Sequence, residues 1–338
     1  MYPRRVAAWA GVGASIGIVL ASVLGAQAAP RPESASLRAK GETLYATYCA
    51  RCHGEDGADT TTYAGARSLV DITQRLSALE VIEKSKGFAA VQLDGEKAQA
   101  LFAHLETFRS GGWAHPELLV ETSWLEHRLQ DPTVRIVDMR SDEKYSAGHL
   151  PGAVRLSEGP LRDANDTADF LPSPEAFAAM MGKAGIGADT HVVIYDDAGG
   201  RSAARLWFVL NAYGHPKVSL VNGGWSKWTA EKRPTTVEAP RVAATTFKPK
   251  KVPELVCAAP ELLARRPDVV VLDTRSADEF TGERLSGGAK KAGRIPNSVN
   301  VDWSENVTGP HQVFKSGPEL KKLYESKGVT PDKEVVTY

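Results

Sequence analysis

Two of the three cysteines and one of the eight histidines stand in a single run, Cys49-Ala-Arg-Cys52-His53. Two thiols one helical turn apart can both reach the vinyl edge of one porphyrin and form thioethers, and an imidazole directly after the second thiol lies within reach of the iron. A redox dithiol has no need of the adjacent histidine. A zinc site needs further cysteine or histidine ligands, which the neighbouring sequence does not supply. The run therefore predicts covalently attached haem c, with Cys49 and Cys52 as the attachment points and His53 as an axial iron ligand.

The flanks must hold that group. From Ser36 to Tyr48, Leu37, Leu44, Tyr45 and Tyr48 recur with polar or small residues between them, an amphipathic helix leading into the motif. Gly41 falls on the same stripe, where a glycine costs about 1 kcal/mol against alanine and is suited to a close helix crossing. From Glu96 to Phe108 the helical period returns, with Leu101, Leu105 and Phe108 on one face. Helix, haem motif, loops and closing helix together resemble the class I cytochrome c family over residues 34–110, which implies a small all-α domain and electron transfer with a redox partner protein. That family usually supplies a methionine as the second axial ligand, shortly before the last helix. Here the matching stretch is Gly87-Phe88-Ala89, and no methionine occurs between Met1 and Met139. The alternatives are an open sixth site, His104, Lys84 or Lys86. His104 sits beside the packed stripe and reads as a core-edge histidine, which favours a vacant or weakly held sixth position and, without a thioether ligand, a lower potential.

Composition bounds the remainder. With 41 basic and 41 acidic residues among 338, no bulk charge points to nucleic acid or an anionic membrane surface. Arg4 and Arg5, an apolar run from Val6 to Leu24 and then Ala26-Gln-Ala28 form the pattern of a secretory signal, residues 1–29, so the mature chain is expected to be periplasmic or secreted, touching a membrane only if that segment is retained. One cysteine, Cys257, is left over, which implies no disulfide framework.

Downstream the chain repeats itself. Asp138-Met-Arg140-Ser recurs as Asp273-Thr-Arg275-Ser. Gly148-His-Leu-Pro-Gly-Ala-Val154 recurs as Gly293-Arg-Ile-Pro-Asn-Ser-Val299, and Val192-Val-Ile-Tyr195 as Val335-Val-Thr-Tyr338. The second copy carries an insertion, because the step from Asp138 to Gly148 becomes the longer step from Asp273 to Gly293. In each copy short apolar runs (Val134 to Val137, Val269 to Leu272) alternate with helical stretches (Glu175 to Met181, Glu319 to Glu325), the signature of a parallel sheet covered by helices. The Pro-, Thr- and Lys-rich segment between them, residues 234–252, reads as a linker joining repeats at 114–233 and 253–338.

This ordered set, with Tyr145-Ser-Ala-Gly-His-Leu-Pro-Gly-Ala and Asn222-Gly-Gly-Trp225, resembles the tandem-domain rhodaneses, the thiosulfate sulfurtransferases. The resemblance implies two α/β domains and a cysteine at the end of the Val-Val-x-Tyr strand. That thiolate would take sulfane sulfur from thiosulfate and hold it as a persulfide for a thiophilic acceptor such as cyanide. A strand-to-helix loop of this kind offers backbone N–H groups and a helix N-terminus to a thiolate, a persulfide or an oxyanion. In the first copy Asp196, followed by Asp197, takes the nucleophile's place, so that copy resembles the family's non-catalytic domain; the pair reads equally as two solvated loop carboxylates. In the second copy the nucleophile is expected immediately after Tyr338, and the domain reads as incomplete. Arg275 matches the family's substrate-anion arginine, against a salt bridge to Asp273 or Glu279, while Arg140 reads as structural. Cys257 aligns with Val120 and reads as a small buried apolar residue.

The expectation is thus a multidomain chain, an all-α haem domain followed by two α/β rhodanese-like domains, the second incomplete. Its rivals are an electron carrier with the repeat pair as a docking or anion-binding module, and a haem-based sensor of small ligands.

Overall fold

In the first repeat, Val134–Asp138 (β3) and His191–Tyr195 (β5) are short runs rich in β-branched residues, and they lie side by side as parallel strands. The computed structural model describes residues 6–8, 40–41, 43–47, 97, 100–101, 113, 115–162, 171–257, 261–262, 264, 269–285, 289 and 291–338. The chain divides into two units, residues 1–26, 117–315 and 319–338 in one and 27–116 with 316–318 in the other.

The larger unit contains both repeats. Its strands and helices, in chain order, begin with Val6–Ala8 (β1), Leu119–Val120 (β2) and Thr122–Glu126 (α1), ahead of β3. Asp142–Ala147 (α2), Val154–Arg155 (β4) and Pro174–Lys183 (α3) precede β5. Arg201–Ala212 (α4), Val218–Val221 (β6) and Gly224–Ala230 (α5) complete the first repeat. Its sheet has the order β2-β6-β5-β3-β4 and is parallel throughout. Because both faces are covered, β5 and β6 are apolar and buried along nearly their whole length. One face packs Ile136, Val193 and Tyr195 against Leu125 and Trp228. α4 lies over β5 and β6, burying Ala203 to Leu210.

The second repeat has Val269–Asp273 (β7), Ala277–Thr281 (α6), Val299–Asn300 (β8), a hairpin of Val307–Thr308 (β9) and Val313–Phe314 (β10), Gly317–Glu325 (α7) and Glu334–Thr337 (β11). Its sheet order is β1-β11-β7-β8, also parallel. β11 stands where β5 stands in the first repeat, and β1, from the segment read as a leader, pairs with β11 on the side that β6 takes beside β5.

The segment read as a linker is also a strap. Thr236 and His149 exchange backbone hydrogen bonds, Thr245 N–H donates to Gly182 O, Lys250 N–H to Tyr213 O and Val252 N–H to Ala212 O. Phe247 is buried against Phe177 and His215. Gly182 permits this approach, since a Cβ there would stand 2.6 Å from Thr245 O.

In the smaller unit, residues 40–41, 43–47, 97 and 100–101 are helical, with Gly41, Tyr45, Ala100 and Leu101 buried. These fall in the two stretches where the helical period was read. Among the described residues no helix is long and apolar enough to cross a membrane.

Candidate functional site

The site is the turn from β5 into α4, Asp196 to Arg201. Gly199 and Gly200 both have positive φ (65° and 86°), and this curls the backbone so that successive N–H groups converge. They converge on Asp196. Its Oδ1 accepts from Ala198 N–H at 3.0 Å and Gly200 N–H at 2.8 Å, and its Oδ2 from Ser202 N–H at 2.8 Å and Ala203 N–H at 3.0 Å. Asp196 is buried, 3% exposed, so it is not a solvated loop carboxylate. Burial pushes its carboxyl above the usual range while the four amides pull the other way. Asp197 is half-buried, the more exposed of the two aspartates, and bonds Lys144. The turn is therefore an anion cradle whose anion is the chain's own side chain.

Beneath the cradle the scattered sequence motifs meet in one buried cluster. Arg140 donates from Nε to both Asp138 oxygens (3.1 Å each) and from its NH2 group to Asp138 Oδ2 (2.7 Å) and Gly148 O (2.6 Å). Tyr195 O–H donates to Asp138 Oδ2 and accepts from Leu150 N–H. Trp225 lies under the guanidinium at 3.8 Å and stacks with Tyr195. Buried beside Asp138, the Tyr195 hydroxyl is held far above its ordinary pKa and stays protonated. The Asp-x-Arg start, the Gly-His-Leu-Pro loop, the strand-end tyrosine and the Gly-Gly-Trp turn thus form one polar knot that fixes the end of β5.

The second repeat builds the same knot. Arg275 donates to Asp273 through Nε (3.0 Å) and its NH2 group (2.6 Å), and to Gly293 O at 3.0 Å, with its guanidinium 5.2 Å from the Tyr338 ring centre. Hydrogen bonding to Asp273 raises the guanidinium's pKa. Of the two roles open to Arg275, the structure has it in the salt bridge to Asp273, with 14% of the side chain exposed against 2% for Arg140. Two contacts are additions. Thr274 keeps the backbone bond that Met139 N–H makes to Tyr195 O and adds its hydroxyl, each donating to Tyr338 O at 3.0 Å. Asn300 donates its amide to Arg275 O, as Arg155 donates to Arg140 O, and also to Asp273 O. Cys257 is a buried thiol packed with Leu262, Val271, Val336 and Tyr338, and its counterpart Val120 is buried in the first repeat. The haem residues Cys49, Cys52 and His53, with Phe88, His104, Lys84 and Lys86, lie outside the described residues. Among the described residues no group of three or more His, Cys, Asp or Glu side chains is arranged to hold a metal ion.

Two parallel sheets whose strand-end loops are set by paired Asp-x-Arg knots define a tandem rhodanese, and the comparisons bear this out. The rhodanese-like domain model matches residues 121–231 and 259–338, and the chain belongs to that family. The cytochrome c model matches residues 38–107. The sulfur carrier protein TtuD of Thermus thermophilus is 37% identical over 248 residues, covering 67% of this chain and 84% of the relative. A thiosulfate sulfurtransferase of Corynebacterium glutamicum is 35% identical over 240 residues, covering 67% and 78%. Among solved structures, SseA from Escherichia coli, one of the 3-mercaptopyruvate sulfotransferases, superposes with a TM-score of 0.59 at 29% identity, covering 65% of this chain and 87% of that one.

Proposed function

We propose that the chain is an exported c-type haem protein whose rhodanese pair belongs to a sulfane-sulfur transfer system, with the haem exchanging electrons with a redox partner. The observation that carries the sulfur reading is the cradle around Asp196. Four converging N–H groups suit a thiolate, a persulfide or a thiosulfate oxygen as well as they suit a carboxylate. A cysteine at the matching position of the second repeat, immediately after Tyr338, would take the sulfane sulfur of thiosulfate as a persulfide, release sulfite and pass the sulfur to a thiophilic acceptor. Among the described residues no cysteine stands in a cradle: Asp196 fills that of the first repeat, and Cys257 is buried in an apolar cluster. No sulfur transfer from thiosulfate is expected of Cys257.

The donor set supports haem c, since two thiols at this spacing with an adjacent imidazole are what covalent attachment and axial ligation require. Cys49 and Cys52 would hold the porphyrin and His53 the iron. When bound, haem supplies reversible one-electron chemistry. The test is denaturing electrophoresis followed by a haem stain. The wild-type chain keeps a stained band, and the Cys49→Ala, Cys52→Ala double variant loses it; a stained band in the double variant overturns the assignment.

A further inference from the structure

The filled cradle does more than close the first repeat to ligands. Two glycine turns of the first repeat flank Asp196. Its carboxylate holds the Ala198–Ala203 turn, and its backbone carbonyl accepts Trp225 N–H at 2.9 Å, which holds the Gly223–Gly224 turn. The fit is tight, since a Cβ on Gly224 would stand 2.3 Å from Asp196 O. The β9–β10 hairpin of the second repeat is seated on both turns. A Cβ on Gly199 would meet Gln312 and Trp303 at 3.5 Å, one on Gly200 the Phe314 ring at 3.2 Å, and one on Gly223 Val313 at 3.0 Å. Asn222 Oδ1 accepts Phe314 N–H at 2.9 Å, while its amide donates to Glu121, and Ser226 hydrogen-bonds His311 at 2.9 Å.

We infer that Asp196 is a positioning residue for the second repeat: standing where a nucleophile would stand, it acts through the two glycine turns to seat the hairpin and so sets the relation of the two repeats. The first repeat is then a base, with a carboxylate in the cradle doing permanently what a transient anion would do only while bound. Two sites joined by such packed turns are energetically coupled, and the coupling is reciprocal.

The test is amide hydrogen exchange on the full chain. In Asp196→Gly the amides of Ala198, Gly200, Ser202 and Ala203 lose their acceptor and exchange faster. The inference requires that Phe314 N–H, in the other repeat, also speed up by about tenfold, as expected for coupling of ordinary size. Formate, a carboxylate small enough for the vacated space, should restore protection at Phe314 in a saturable way that chloride at equal ionic strength does not match. A general loss of packing would not respond to formate. Phe314→Ala supplies the converse and leaves the cradle's own residues intact, so it serves even if Asp196→Gly fails to fold. Because coupling runs both ways, it must also speed exchange at the four cradle amides. Faster cradle amides with an unchanged Phe314 N–H, or unchanged cradle amides in Phe314→Ala, would overturn the inference and leave Asp196 a strut of its own loop.

Discussion

Replacing Arg140 and Arg275 separately by alanine separates structure from substrate binding, because the two arginines have matching partners and differ in exposure. Arg140→Ala strands Asp138, fully buried, with its carboxylate still held by Arg140 N–H (2.8 Å) and Tyr195 O–H but without a counter-charge, and it leaves Gly148 O without that donor. Breaking a buried, hydrogen-bonded ion pair from one side costs about 3–5 kcal/mol. Loss of the Arg140 stack on Trp225 adds to that. Arg275 has the same bonds but a more exposed side chain and no tryptophan under it, so Arg275→Ala should cost about 1.5–3 kcal/mol, the range for hydrogen bonds to a charged group. Urea unfolding followed by tryptophan fluorescence reads both, with Trp124, Trp207, Trp225 and Trp228 reporting the first repeat and Trp303 the second. Arg140→Lys should recover little, since an ammonium cannot reproduce the paired fork. An Arg140→Ala midpoint equal to wild type would refute the knot as the support of β5. An unchanged midpoint for Arg275→Ala, with weakened thiosulfate binding, would show that Arg275 acts on substrate and not on Asp273.

Two further outcomes follow from other parts of the chain. The alignment of Phe88 with the usual methionine slot predicts that the ferric protein lacks the weak near-infrared band of methionine–iron bonding and that the ferrous protein binds carbon monoxide readily; slow or absent uptake would indicate a strong internal ligand, His104 being the first to replace. His191 and His215 both have pKa values lowered by burial, so the fold holds them neutral. The unfolded chain then binds more protons than the folded one between the lowered values and the ordinary value of about 6.5, and stability rises with pH across that window and is lost as pH falls through it. Urea midpoints measured from pH 7.5 downward should show this slope, and His191→Gln with His215→Gln should flatten it; an unchanged slope would exclude these two histidines as its source.

Much of the fold was legible because its signals are local. β-branched runs gave β3, β5 and β7 nearly to the residue, and the ordered recurrence of Asp-x-Arg, Gly-x-x-Pro and the strand-end tyrosine gave the duplication. What the sequence hid is long-range. Nothing in the Pro- and Thr-rich linker shows that Phe247 is buried on α3, because that depends on glycines at 182 and 185 far upstream letting the strap approach. The motifs read one by one as family marks are a single knot in space, which makes Arg275 first a partner of Asp273. Asp196 was the instructive case. A carboxylate in a loop reads as solvated, yet the string Asp-Asp-Ala-Gly-Gly-Arg-Ser carried the signal, two glycines able to take positive φ ahead of a helix, which bends amides onto the side chain before them.

The sulfur transfer proposed above needs a thiolate in the strand-to-helix cradle, a place held in the first repeat by Asp196. Incubation of the purified 338-residue chain with thiosulfate and cyanide, with thiocyanate measured against time, tests it directly. Thiocyanate is expected to form at the rate of the protein-free control. Formation above that control that disappears in Cys257→Ser would contradict it, by showing that the buried thiol is the nucleophile.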